Sequence, residues 1–102
     1  MGFVGMAQRC LELMYTRAQE RVAFGEPLIK KTSIQLEIAR SRNDIEQCRS
    51  LTLQAAEVMD REGLDGARPY ISTIKIVAPK MAQEVADRAM QIFSACASVR
   101  TP

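Results

Sequence analysis

Apolar side chains recur at spacings of three and four residues along almost the whole of this sequence. Such spacing places them on one side of an α-helix, and it predicts three long amphipathic helices over residues 3–22, 32–62 and 67–96. No alternating pattern typical of strands is present, so the sequence predicts an all-α fold. The three predicted stripes consist of Phe3, Ala7, Cys10, Met14 and Ala18, widened by Met6, Leu11 and Leu13, then Ile38, Ile45, Cys48, Thr52, Ala55 and Met59, then Ile71, Ile74, Ala78, Met81, Val85, Ala89, Ile92 and Cys96.

Two short segments separate the predicted helices, and the first contains Gly25 and Pro27. Gly25 is expected to cap the end of the first helix, and Pro27 prevents that helix from resuming. Thr32 and Gln35 match a capping box, in which the Thr side chain accepts from the backbone and the Gln side chain reaches back. The second helix is therefore expected to begin at Thr32.

Residues 63–66 form the second and clearest linker. Gly63 is expected to act as the C-cap of the second helix, and Asp65 as the N-cap of the third. Pro69 then falls in the first helical turn, where its missing N–H costs little. Pro79 lies inside the third helix, where it predicts a kink.

Short connections between long helices are typical of antiparallel neighbours, so the predicted architecture is an antiparallel bundle of three long helices. Three helices make a thin core, and their wide apolar stripes suggest a missing fourth helix, a partner subunit, or both. Residues 1–97 are expected to form one incomplete helical domain, and residues 98–102 a frayed tail. The chain begins almost inside a helix, as a piece cut from a longer protein would.

Composition excludes several classes of function. A net charge of +2 without a dense basic run does not favour nucleic acid as a partner, and no apolar run approaches the ~20 residues of a membrane span. The sequence has no His, which removes triad-type hydrolysis and the commonest metal ligand. Cys10, Cys48 and Cys96 are widely spaced and are expected to be small buried hydrophobes rather than a disulfide or zinc framework. Their odd number fits an intracellular, reducing compartment.

Residues 21–28 have two interpretations from local chemistry alone. In the first they simply end a helix: Arg21 is favoured by the helix dipole, Gly25 is the cap, and Phe24 fills the core. In the second, the same cation, aromatic ring and turn meet a cofactor. Gln91 also has two interpretations: it is a polar surface residue at a helix end, or it forms hydrogen bonds to a cofactor.

The run Arg21-Val22-Ala23-Phe24-Gly25-Glu26-Pro27-Leu28 resembles the Arg-x-x-Phe-Gly-x-x-Leu signature of acyl-CoA dehydrogenases. The resemblance covers nearly the whole chain, from residue 2 to residue 93, and it is nearest to the large multidomain members. Each motif is weak by itself, and their order and spacing together are specific. The other matching stretches are residues 38–42, 45–47, 49–51, 55–56, 59–60, 74–75, 78–79 and 85–93.

This resemblance implies that the chain is part of the C-terminal four-helix-bundle domain of an FAD-dependent enzyme. That family oxidises acyl-CoA to 2,3-enoyl-CoA in fatty acid β-oxidation, usually as homodimers or tetramers. By resemblance, Arg21 contacts the FAD pyrophosphate of a neighbouring subunit, Phe24 packs near it, and Gln91 approaches the same flavin. A guanidinium is a planar, permanently charged fork that suits diphosphate oxygens, and a Gln adds neutral hydrogen bonds.

The same resemblance places the catalytic Glu outside this chain, so no catalytic residue and no metal ligand is predicted here. Ser94 and Ala95 also stand where the family has Gly-Gly. The expected function is therefore flavin contact and subunit assembly within an acyl-CoA dehydrogenase, without catalysis by this chain alone. The alternative is a non-catalytic helical module that self-associates or binds a related subunit, and a third option is an unrelated adaptor bundle. Mitochondrial, peroxisomal and cytoplasmic locations are not distinguished.

Overall fold

The computed structural model describes residues 2–23 and 26–98, and nearly all of them are helical. Helix α1 spans Gly2–Glu20, and helix α2 spans Thr32–Ser98. The predicted all-α fold is confirmed. The tail expected at residues 98–102 lies outside the described residues, apart from the last helical residue, Ser98.

Helix α2 is not one straight rod, because its backbone reverses at Gly63. A straight helix of 67 residues would be about 100 Å long, whereas the whole molecule measures 60 × 17 × 16 Å. Gly63 has φ 79° and ψ −170°, and it is the only position of α2 with non-helical dihedrals. Residues 32–62 (the first arm) and 64–98 (the second arm) therefore run antiparallel, and with α1 they form the three predicted helices.

The turn at Gly63 differs from the predicted linker in its details. Its ψ places Gly63 outside the left-handed helical region of an ordinary C-cap, in a region that only glycine adopts readily. Because the second arm begins directly afterwards, Asp65 lies inside the helix and is not its N-cap. Its carboxylate accepts a hydrogen bond from the Arg68 guanidinium at 3.1 Å. Pro69 consequently lies beyond the first turn, and at Pro79 the dihedrals stay helical.

Gly66 is needed in this turn for a different reason, which is space. A Cβ placed on Gly66 would lie 2.6 Å from the Cβ of Glu62, on the opposite side of the reversal. The Cβ of Glu62 is bonded directly to the backbone, so it cannot move aside as the end of a flexible side chain can. The two glycines therefore permit the reversal by separate means, positive φ at Gly63 and close approach at Gly66.

The connection between α1 and α2 contains a short strand pair that the sequence did not predict. Strand β1 (Val22–Ala23) pairs antiparallel with strand β2 (Glu26–Pro27), and a 3-10 turn follows at Leu28–Lys30. Helix α1 ends at Glu20, and the predicted cap Gly25 lies outside the described residues.

The start of α2 differs from the predicted capping box. The N–H of Gln35 donates to the carbonyl of Lys31 at 3.0 Å. That donor is the one that the capping box assigned to the Thr32 hydroxyl. Lys31 rather than Thr32 is therefore the residue that flanks the helix.

The core lies where α1 crosses both arms. The two arms bury the residues that the sequence predicted from Ile38 to Cys48 and from Ala78 to Cys96, whereas Met59 is exposed. On α1 the buried stripe is rotated relative to the prediction. Val4 is buried in place of Phe3, and Leu11, predicted at the widened edge, is more deeply buried than Cys10. The clustered core residues are Val4, Ala7, Leu11, Met14, Ala18, Ile38, Ile45, Cys48, Ala78, Met81, Val85, Ala89, Ile92 and Cys96.

Arg88 joins the two arms through a partly buried cluster of carboxylates. Its guanidinium lies 2.7 Å from Asp44, 3.7 Å from Glu37 and 3.6 Å from Glu84. The Arg88 side chain is 19% exposed, so water screens these charges less than it screens the surface pairs. The sequence did not predict this link between the arms.

Many large apolar side chains remain exposed. On α1 they include Phe3, Met6 and Leu13, which lie beside the buried stripe. This agrees with the expectation that three helices leave apolar surface for a further element. Among the described residues, neither helix has a stretch apolar over enough length to cross a bilayer.

Candidate functional site

Arg21 sits at the C-terminal end of α1, and the backbone there fixes its direction. Its N–H donates to the carbonyl of Arg17 at 3.1 Å, which extends the last helical turn by one residue. Arg21 is half-buried and faces an open cavity of about 330 Å³. The other residues that line the cavity are Leu13, Arg17, Phe93, Cys96 and Ala97.

The cavity is cationic. Among the residues whose side chains the structure describes, no carboxylate lies within 4.0 Å of the guanidinium of Arg17 or Arg21. Burial raises the pKa of the Cys96 thiol, and the charges of Arg21 and Arg17 oppose that rise. Both cations therefore act on the same small volume.

The cysteines match their predicted role. Cys48 and Cys96 are buried, and Cys10 is half-buried. Burial raises the pKa of the Cys48 thiol as well, and no charged neighbour opposes it. A buried thiol with a raised pKa is a poor nucleophile and behaves as a small hydrophobe.

Gln91 lies elsewhere. It is exposed and lines a groove between the two arms, together with Ser33, Ile34, Leu36, Glu37, Arg40 and Ile92. Arg21 and Gln91 are at the same end of the bundle, away from Gly63, but they do not share a cavity. Phe24 lies outside the described residues. The structure therefore does not bring together Arg21 and Gln91, the two predicted contact residues that it describes.

The structure instead places Arg17 and Phe93 beside Arg21, and the sequence interpretation did not include them as site residues. A signal for Arg17 was present, because Leu13, Arg17 and Arg21 are spaced by four and share one helix face. Phe93 carried no comparable signal, since its nearness to α1 depends on the packing of the second arm.

A diphosphate group fits this cavity by its chemistry. Two guanidinium groups without carboxylate partners are suited to phosphate oxygens, and the cavity is at the small end of the roughly 300–1,000 Å³ typical of ligand sites. A whole dinucleotide would extend beyond it. In the part of the chain that the structure describes, no group of three or more Cys, Asp or Glu is placed to hold a metal ion.

Comparison with known proteins identifies this architecture. The family model for the acyl-CoA dehydrogenase C-terminal domain matches residues 1–100. Acyl-CoA dehydrogenase family member 10 of Mus musculus is 48% identical over 95 residues, which are 93% of this chain and 9% of that protein. The Mycobacterium tuberculosis protein named Probable acyl-CoA dehydrogenase FadE2 is 45% identical over 95 residues, which are 93% of this chain and 23% of that protein.

A solved structure from Mycobacterium abscessus, assigned to the acyl-CoA dehydrogenases, superposes with a TM-score of 0.84 at 42% identity. The match covers 89% of this chain and 22% of that one. The chain thus spans less than a quarter of the length of each of these three relatives. Fold, sequence and family model agree, and the chain belongs to the acyl-CoA dehydrogenase family, whose C-terminal helical domain it matches.

Proposed function

We propose that this chain is the C-terminal helical portion of an FAD-dependent acyl-CoA dehydrogenase, in which it contacts the flavin and supports subunit assembly. The bound flavin would accept the electrons removed from the acyl-CoA in forming 2,3-enoyl-CoA. The chain's own part is to bind and orient, because no catalytic base is assigned to it. The observation that carries the proposal is the half-buried Arg21, which faces a cavity and has no carboxylate partner among the described residues.

Arg21 would bind the pyrophosphate of a flavin held mainly by another subunit. A guanidinium presents parallel N–H donors to phosphate oxygens, and partial burial of Arg21 reduces the screening of its charge by water. Gln91 would reach the same flavin from the groove between the arms, and Phe24 would pack near it. Residues 1–97 would then act as one domain unit within a homodimer or tetramer, inside the cell, where the three free cysteines stay reduced.

Replacement of Arg21 by Ala is expected to lower flavin affinity about tenfold, because it removes one charge-assisted contact with the diphosphate. The test uses the Mycobacterium tuberculosis relative, with its matching region replaced by residues 2–98 of this chain. The measurement is the flavin-to-protein absorbance ratio after dilution, with far-ultraviolet circular dichroism to check helicity.

The matched control is Arg9→Ala, which removes another α1 arginine that pairs only with Glu12, at 3.6 Å. It should leave flavin content unchanged. If the Arg21 and Arg9 variants retain equal flavin, Arg21 has no role in binding it.

A second candidate function is self-association, and one observation favours it. Beyond the part of the arms that α1 covers, a groove of about 430 Å³ remains open. Its lining is largely apolar, and Met59 on its edge is 37% exposed. The lining residues are Thr52, Ala55, Ala56, Met59, Asp60, Ile71, Ile74 and Lys75.

If this groove is an interface between copies, light scattering should give twice the 11.4 kDa mass of one chain, and Met59→Glu should restore the single mass. A buried charge without a partner opposes association strongly. Leu53→Glu is the control, because Leu53 is 60% exposed and does not line the groove. A wild-type chain that stays monomeric at high micromolar concentration would exclude this function for the groove.

A further inference from the structure

We propose that Arg17 is a second phosphate-binding residue, so that Arg17 and Arg21 together hold a diphosphate group in the cavity at the C-terminal end of α1. The inference rests on the proposed function for its ligand, the diphosphate of a flavin dinucleotide. It goes beyond that function because it assigns a residue outside the Arg21–Leu28 motif and a defined binding surface.

The backbone directs both side chains to one place. Arg17 and Arg21 are four residues apart, and the 3.1 Å hydrogen bond between their backbones keeps that turn helical. Side chains at this spacing lie one above the other on the same face. Both guanidinium groups accordingly border the same cavity. Two guanidinium groups that border one cavity can each engage a phosphate of one diphosphate.

The positive charges of Arg17 and Arg21 favour the binding of an anion. Like charges four residues apart destabilise a helix, and the chain neutralises most of its other described arginines. Glu20 is three residues after Arg17, yet no ion pair forms between them within 4.0 Å. The arginines that do have carboxylate partners are Arg9, Arg40, Arg49, Arg68 and Arg88.

Both cations border apolar side chains. Leu13, Phe93 and Ala97 line the same cavity, where Arg21 is half-buried and Arg17 is exposed. The pKa of the buried Cys96 thiol responds to Arg17 as well as to Arg21, so both charges reach the cavity wall. The helix dipole favours cations at a C-terminus, but it does not account for two of them lining one apolar cavity.

The test is a titration of the 102-residue protein with inorganic pyrophosphate, FAD and riboflavin, followed by the nuclear magnetic resonance signals of the arginine side chains. Pyrophosphate and FAD should shift the signals of Arg17 and Arg21, and riboflavin, which has no phosphate, should not. Arg17→Ala should raise the dissociation constant for pyrophosphate about tenfold, and Arg17→Lys should restore part of the loss. Arg42→Ala is the control, because Arg42 is exposed, lies outside this cavity and should change nothing.

A second measurement separates binding from a structural role of Arg17. Bound pyrophosphate offsets the field of both arginines at Cys96, so the thiolate fraction there falls and alkylation slows. Cys48 is equally buried and has no such neighbour, so its alkylation rate should not change. In Arg17→Ala this slowing at Cys96 should require about tenfold more pyrophosphate. If the concentration dependence is unchanged, Arg17 has only a structural role.

The outcomes distinguish the inference from the proposed function. If pyrophosphate and FAD bind with a dependence on Arg21 but not on Arg17, the inference is wrong and the proposed flavin contact stands. If pyrophosphate binds through both arginines while the Arg21 and Arg9 variants of the hybrid enzyme retain equal flavin, the diphosphate site stands and the flavin contact fails. Binding that depends on neither arginine, or no binding of pyrophosphate, overturns the inference.

Discussion

Arg88→Met is expected to lower the free energy of unfolding by about 2–3 kcal/mol. Arg88 is the shared cation for Asp44, Glu37 and Glu84, and its removal leaves three neighbouring carboxylates to repel one another. Breaking a buried pair costs about 3–5 kcal/mol, and we take a smaller value because these side chains are partly exposed. Met retains the apolar stem, so the charge rather than the packing is tested. Urea denaturation followed by circular dichroism measures the change.

Arg68→Met is the matched control for this prediction. Arg68 pairs with Asp65 at 3.1 Å, but their side chains are 65% and 96% exposed. A surface pair of this kind contributes less than about 0.5 kcal/mol. Equal effects of the two substitutions would show that the Arg88 cluster adds nothing beyond an ordinary surface pair.

Gly63→Ala is expected to cost about 2 kcal/mol and to change the shape of the molecule. At φ 79° and ψ −170° a side chain is strained, and no atom lies within 4 Å of the added Cβ, so the cost is one of backbone conformation alone. Ala also favours continuation of the helix through the turn. Small-angle scattering should therefore report a radius of gyration above 17.0 Å, with a fraction of straightened, domain-exchanged chains.

Gly5→Ala provides the control with the same chemical change. Gly5 is exposed within α1, and a Cβ there meets nothing within 4 Å. In an ordinary helical position the substitution should stabilise by roughly 0.5–1 kcal/mol. A Gly63→Ala protein as stable and as compact as the wild type would show that the turn does not depend on glycine.

The helices could be predicted from the sequence because a period near 3.6 is a local property of the chain. The exact face of α1 that is buried could not be predicted from the sequence. The apolar surface of α1 extends from Phe3 round to Val4 and Leu11, and only contact with the two arms decides which part is covered. Similarly, the sequence predicted the break at Gly63. It did not predict that Asp65 is helical or that Gly66 lies close to Glu62, because both depend on how tightly the chain reverses.

The site residues named from the sequence remain a prediction. The motif identified Arg21, and the cavity that it lines supports that choice without testing it. The nearness of Phe93 and Cys96 to Arg21 depends on tertiary packing between residues far apart in the chain. The same holds for Arg88 and Asp44, which are 44 positions apart. Gln91 belongs to the same end of the bundle but to another groove, which no local pattern specifies.

The most direct test of the flavin contact is a crystal structure of the flavin-loaded hybrid enzyme that carries residues 2–98 of this chain. We predict that nitrogen atoms of the Arg21 guanidinium lie about 2.7–2.9 Å from the pyrophosphate oxygens of a flavin bound to the neighbouring subunit. A structure in which the pyrophosphate is held by other residues, with Arg21 facing solvent or paired with a carboxylate, would contradict the proposed function.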